Sequence, residues 1–185
     1  MASYAQILKL IVTALLIGML FSGPLAAQDR EAELLQALRD APESEAQRLD
    51  RELSLLWDNS GSASMDLLLK RGREAMEAED YVRAIEHFSA LTDHAPEFAE
   101  GWHARATAYY RAELYGPALD DLQRALALNP NNYDAIFGLG VMFQDFGDYA
   151  RAARAFDEVL QLNPHHEHAK SALDRLAGRG GPQTL

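Results

Sequence analysis

The strongest constraint on this chain is a 34-residue period: the stretches 65–98, 99–132 and 133–166 superpose without a gap. At that step Ala84, Ala118 and Ala152 fall in one column and Pro96, Pro130 and Pro164 in another. A third column holds Phe88, Leu122 and Phe156, and a fourth Leu91, Ala125 and Val159. A unit this short cannot bury its own apolar face, so it stacks on its neighbours. Such an array offers an extended surface rather than an enclosed catalytic pocket. Each unit reads as two helices, the first near 66–78, 99–112 and 133–145, the second near 81–93, 116–128 and 149–161. Pro117 falls in a first helical turn, where no intrahelical N–H is lost. Ala95-Pro96, Asn129-Pro130 and Asn163-Pro164 end the second helices, because the residue before proline avoids the helical region.

Repeat two carries Trp102, Tyr109, Ala118, Leu122, Ala125 and Pro130, and repeat three Leu139, Gly140, Phe143, Gly147-Asp148-Tyr149, Ala152, Phe156 and Pro164. Repeat one carries Gly72, Asp80-Tyr81, Ala84, Phe88 and Pro96. In period and order these residues resemble the tetratricopeptide repeat family. The resemblance implies an all-α fold, an α-solenoid of helix-turn-helix units wound into a right-handed superhelix. Ala106 replaces the usual glycine of repeat two, Arg71 and Arg105 stand where leucine is common, and Ala75 replaces an aromatic residue, which makes repeat one the loosest copy.

The flanks do not repeat. Residues 1–27 read as an export signal: Lys9 precedes the apolar run Leu10–Phe21, Ser22-Gly23-Pro24 ends its helix, and cleavage is expected after Ala27. The run is shorter than the ~20 residues a membrane span needs. The expected destination is the periplasm of a Gram-negative bacterium, with an uncleaved amino-terminal anchor as the alternative. Residues 28–60 read as a helical hairpin broken at Ala41-Pro42, its second helix striped with Ala46, Leu49, Leu53, Leu56 and Trp57. Either it caps the apolar face of repeat one, or it docks in the concave groove as a built-in competitor. Serines of the following loop, 58–64, are placed to cap the next helix. Residues 165–177 read as a capping helix with Ala169, Ala172, Leu173 and Leu176 on one stripe, ended by Gly178, and 178–185 as a disordered tail.

At about 100° per residue, positions 2, 5, 9 and 12 of each first helix share a side away from the packing residues. The resemblance implies that this side faces the concave groove. The candidate partner-binding residues are Asp66, Leu69, Arg73 and Met76; Glu100, His103, Thr107 and Tyr110; and Asp134, Phe137, Val141 and Gln144. Asp66, Glu100 and Asp134 would line one rim with carboxylates, although a first helical turn favours acids anyway. Leu69, Met76, Tyr110, Phe137 and Val141 would form an apolar patch, open to a partner or covered by the hairpin. The family's grooves that hold the carboxyl tails of cytosolic chaperones use lysine, arginine and asparagine. Here Leu69, Thr107 and Asp134 stand at three such positions, so that clamp is not expected. An extended or helical peptide with apolar anchors and a basic or amino-terminal end fits better.

The formal net charge of −11 argues against nucleic acid and anionic lipid as partners, and the absence of cysteine removes disulfides and thiolate metal sites. His165, His166 and His168 read as a solvated loop and helix start rather than a metal site, and His87 and His103 as isolated surface or groove residues. Asp120-Asp121 matches neither a calcium loop nor a catalytic acid pair. No cofactor is expected. The reading is a non-enzymatic protein-interaction module exported to the cell envelope, serving complex assembly. Its alternatives are a self-associating structural subunit and a membrane-tethered chaperone cofactor.

Overall fold

The structure, a computed structural model, describes residues 22–179, and the expected apolar export segment before Ser22 lies outside them. Nine helices and no strand are found among the described residues. A hairpin of α1 (Ser22–Asp40) and α2 (Glu43–Trp57) precedes three helix pairs: α3 (Ala63–Glu77) with α4 (Tyr81–His94), α5 (Ala99–Arg111) with α6 (Tyr115–Leu128), and α7 (Tyr133–Asp145) with α8 (Tyr149–Leu162). A last helix, α9 (Glu167–Arg179), follows. Ser22-Gly23-Pro24, expected to end a helix, are themselves helical and belong to α1. The expected cleavage point after Ala27 therefore lies inside α1. Gly178 does not stop α9, which runs through Arg179.

The turn inside each repeat is built the same way. Glu79, Glu113 and Gly147, one 34-residue column, all take the left-handed conformation, with φ of 57°, 62° and 78°. In each turn this residue's N–H and that of its successor return to the preceding helix, as in Asp80 N to Ala75 O and Glu79 N to Met76 O. The next column is Asp80, Leu114 and Asp148. Both aspartates accept the N–H three residues on, whereas Leu114 caps nothing. Between repeats, Asn129 and Asn163 close the chain back by accepting from the N–H of Asn131 and His165.

The repeats pack through glycine and ring. A Cβ on Gly140 would fall 2.6 Å from Phe156 Cε1, and Gly72 meets Phe88 in the same way. Repeat two has Ala106 and Leu122 in these columns, a larger residue facing a smaller one, so total volume is kept. Arg105, on the leucine column, is half-buried in repeat two. Its guanidinium grips Asp121 through Nε and Nη2 at 2.6 and 2.9 Å, donates to Thr92 Oγ1 at 2.8 Å, and lies over the Trp102 ring. A charge enters this core because its partners satisfy it. Asp121 is thus a structural counter-ion.

The hairpin does not cap repeat one. Leu34, Leu35, Leu38, Leu49 and Leu53 belong to the same hydrophobic cluster as Tyr133, Phe156, Val159, Ala169 and Ala172, whereas the repeat-one cluster of Leu69, Phe88 and Leu91 contains no hairpin residue. The physical reason is that α2 runs along the amino-terminal ends of α7 and α9. Glu43 meets His165 at 2.8 Å, Asp50 accepts from Tyr133 Oη at 2.9 Å and Asn163 Nδ2 at 3.1 Å, and Trp57 sits edge-on to the Tyr133 ring at 5.0 Å. Residues 43, 50 and 57 share one helical face at a spacing of seven. Fully burying leucines such as Leu38 and Leu53 stabilises this seat by about 1.5–3 kcal/mol each.

Candidate functional site

The first helices α3, α5 and α7 bring nearly all the candidate groove residues to three adjoining depressions. Tyr110, Phe137, Val141, His103, Thr107 and Asp134 line one of about 300 Å³ between α5 and α7, and its floor includes Ala106, Leu122 and Met142. Arg73, Met76, Glu100, His103 and Thr107 line a second of about 340 Å³ between α3 and α5. Asp66, Leu69 and Arg73 border a third beside Asp58. Gln144 borders none of these, and its Oε1 is buried without a partner.

The expected rim of carboxylates is not an open line. Asp66 accepts from the N–H and hydroxyl of Ser60, tying the loop before α3 in place. Ser62 occupies the capping position there but makes no side-chain capping bond. Glu100 is 7% exposed and receives Arg73 Nη2 at 2.8 Å and His103 Nδ1 at 3.0 Å. Asp134 is half exposed and faces His166 at 3.6 Å. Helix-start acids here join elements rather than only answering the dipole.

Arg73 is also committed. Its two terminal nitrogens reach Asp58, the residue that ends α2, at 2.7 and 2.6 Å, so one guanidinium joins the hairpin, repeat one and repeat two. The Asp58 bonds raise its pKa further above the ordinary arginine value, against the effect of burial. Burial opposes the charge on Glu100, but His103 and Arg73 outweigh it and hold the carboxyl below its ordinary range. Burial also opposes charge on His103, and Glu100 outweighs it, so its pKa is raised. His103 is therefore a paired groove residue, not an isolated one.

The expected apolar patch is divided. Leu69 is 3% exposed and belongs to the repeat-one core, so it offers nothing to a partner. Phe137 packs on Phe156 at 5.4 Å and His166 at 5.0 Å, with one side left to the groove. Tyr110 donates its hydroxyl to Asp145, and burial with this carboxylate pushes the phenol up to about 12. His165 and His166 are half-buried rather than free in solvent, while His168 is exposed: the His165 ring lies between Glu43 and the Ala41 carbonyl, and His166 lies against Tyr133 and Phe137. A cavity of about 590 Å³ separates α2 from the starts of α7 and α9 there. No group of three ligating side chains is placed to hold a metal among the described residues.

Sequence reasoning missed Asp58, Asp50 and Asp145. The first two act from outside the repeats, where no column marks them. Asp145 lies one residue beyond position 12 and shows its role only through Tyr110.

The Tetratricopeptide repeat family model matches residues 69–116 and 103–167. The chain belongs to the tetratricopeptide repeat family. A TPR repeat-containing protein of Rhizobium etli is 24% identical over 177 residues, covering 85% of this chain and 87% of that protein. Human serine/threonine-protein phosphatase 5 is 29% identical over 103 residues, covering 56% of this chain but only 21% of the phosphatase. The match to this enzyme thus spans about a fifth of its length. Among solved structures, the first TPR of Spaghetti (RPAP3) bound to HSP90 peptide SRMEEVD superposes with a TM-score of 0.59 at 23% identity, covering 62% of this chain and 91% of that one. That likeness is one of fold. No helix among the described residues is long and apolar enough to cross a membrane.

Proposed function

We propose that this tetratricopeptide repeat protein is a non-enzymatic interaction module that holds a peptide or helix of a partner protein in its concave groove, exported to the cell envelope to assist complex assembly. The observation that carries the reading is the depression between α5 and α7, where Tyr110, Phe137 and Val141 remain partly open beside the polar Thr107 and Asp134. A site of apolar walls with a few fixed polar groups suits a side-chain anchor of a polypeptide. The twelve candidate residues reduce on this reading to those bordering open space, without Leu69 and Gln144.

The neighbour named above is bound to the acidic peptide SRMEEVD. An acidic tail fits this groove poorly, because Arg73 is already held by Asp58 and Glu100, and Asp134 stands at the rim. A basic segment with an apolar anchor fits its charge. Export rests on the apolar run Leu10–Phe21 and the small residues before Gln28.

Thr107 is exposed and borders both groove depressions, so Thr107→Arg fills the groove without touching the core. Photocrosslinking from position 107 in cells identifies the partner, and calorimetry with that partner is expected to show binding lost in Thr107→Arg at an unchanged melting temperature. Unaltered binding in this variant would refute the groove. Amino-terminal sequencing of the cellular protein tests export: Gln28 at the first position is expected, and a retained leader would favour the tethered form.

A further inference from the structure

The helix ends opposite the hairpin carry an aromatic surface of their own. α2 touches the amino-terminal ends of α7 and α9 at Tyr133 and His165. The carboxyl-terminal end of α7, twelve residues on from Tyr133, lies roughly 18 Å away along the helix. There the Tyr110 ring meets Tyr115 at 5.8 Å, edge to face, and Tyr115 meets Phe146 at 5.4 Å in the same manner. Phe146 is 60% exposed, Leu114 47% and Tyr115 39%. These three come from the turns of two successive repeats, so the surface follows the stacking rather than one loop.

Two features give it direction. It is continuous with the groove, because Tyr110 both lines the depression between α5 and α7 and begins the row of rings. It is also flanked by acid. Asp145 accepts the Tyr110 hydroxyl and has no cationic partner among the described residues, and Glu113 adjoins Leu114 in the exposed turn. The nearby cations are already engaged, Arg111 on the Tyr81 ring and hydroxyl and Arg151 on Asp148 and the Phe143 ring. Aromatic faces beside an uncompensated carboxylate favour an alkylammonium or guanidinium group over an anion.

We propose that the row Tyr110–Tyr115–Phe146, with Leu114 and Asp145, is an extension of the groove over the repeat-turn edge, and that it takes a basic, apolar segment of another protein. The segment places an apolar side chain between α5 and α7 and then lays a lysine or arginine across the exposed rings toward Asp145. The proposal rests on the groove reading for its first anchor, but the edge can be tested apart from it.

The probe is a synthetic amphipathic Leu/Lys helix, with its Leu/Glu counterpart as control, titrated against the full chain by fluorescence anisotropy. The expected result is saturable binding of the Leu/Lys probe alone, weakened at least about fivefold by Phe146→Ser and by Asp145→Asn, the loss that marks an interface anchor. Leu114→Ser, which removes an apolar contact at an exposed position without adding charge and should weaken the Leu/Lys probe likewise, serves where Phe146→Ser alters the melting curve. If Phe146→Ser and Leu114→Ser both leave affinity unchanged while Thr107→Arg abolishes it, the edge is overturned and the groove stands. If Thr107→Arg has no effect while Phe146→Ser does, the edge stands and the groove reading fails. Equal binding of the Leu/Glu probe, or no binding of either, overturns the proposal.

Discussion

Gly140 backs onto the ring of Phe156 so closely that any side chain at residue 140 would strike it, with a Cβ 2.6 Å from Cε1 and 3.2 Å from the Ala155 methyl. The same columns in repeat two hold Ala106 and Leu122. Glycine and phenylalanine thus act as one packing unit and alanine and leucine as its substitute.

Gly140→Ala is accordingly expected to destabilise the protein by about 1–3 kcal/mol through overpacking. Phe156→Leu alone removes ring contacts and is also destabilising. The two together restore the pairing that repeat two uses, so the double variant should be more stable than the sum of the single losses. A double-mutant cycle by chemical denaturation reads this directly, and simple additivity would show that ring and glycine are not coupled.

The turn of repeat two departs from both neighbours at Leu114 and, like Glu79 of repeat one, from repeat three at the left-handed residue before it. Glu113 holds φ at 62° where repeat three has Gly147, and Leu114 stands where Asp80 and Asp148 cap their helices. Glu113→Gly relieves the left-handed strain, and Leu114→Asp supplies a cap for α6 worth about 1 kcal/mol. Both should raise the denaturation midpoint, and the gain from Leu114→Asp should be absent in Leu114→Ala, which cannot accept the bond.

Sequence columns exposed the repeats because stacking imposes the same neighbours on each unit, and the family follows from Ala84, Phe88, Pro96 and their counterparts. The groove was legible to the extent that helical angle decides it: Tyr110, Thr107 and Val141 do face open space. What angle does not give is depth. Leu69 and Glu100 point the same way and are buried, one by core packing and the other under Arg73 and His103. The seat of the hairpin was not legible for a further reason. Asp50 and Tyr133 are 83 residues apart and no periodicity links them, so adjacency in sequence pointed to repeat one when the matching partners lie in repeat three.

The Glu100–His103 pair makes stability depend on pH from both sides. The Glu100 carboxyl is held below its ordinary value of 4.5, so its contribution is present above that pH and is lost as acid protonates it. The His103 pKa is raised above its ordinary 6.5, so its contribution is full below that pH and is lost as pH rises through the folded value. Asp134 adds to the rise and Arg73 opposes it. Stability from this pair should therefore be greatest between about pH 4.5 and 6.5. His103→Gln should flatten the alkaline side of the profile, read as denaturation midpoint against pH, and an unchanged slope would exclude the pair as its source.

The seat of the hairpin predicts where damage to it is felt. Leu53 is fully buried in the cluster that also contains Phe156 and Ala172, and Leu53→Ala is expected to cost about 2–5 kcal/mol. In a stacked array each unit is stabilised mainly by what it touches, so the loss should not spread evenly. Native-state hydrogen exchange should show faster opening of α7, α8 and α9 in the variant, with α3 and α4 nearly unchanged. A hairpin that capped repeat one would give the reverse order. Asp58→Asn offers the complementary case: it weakens the bond from α2 to Arg73 without touching the buried leucines, so its effect should appear at α3 and α5 while α8 and α9 keep their protection.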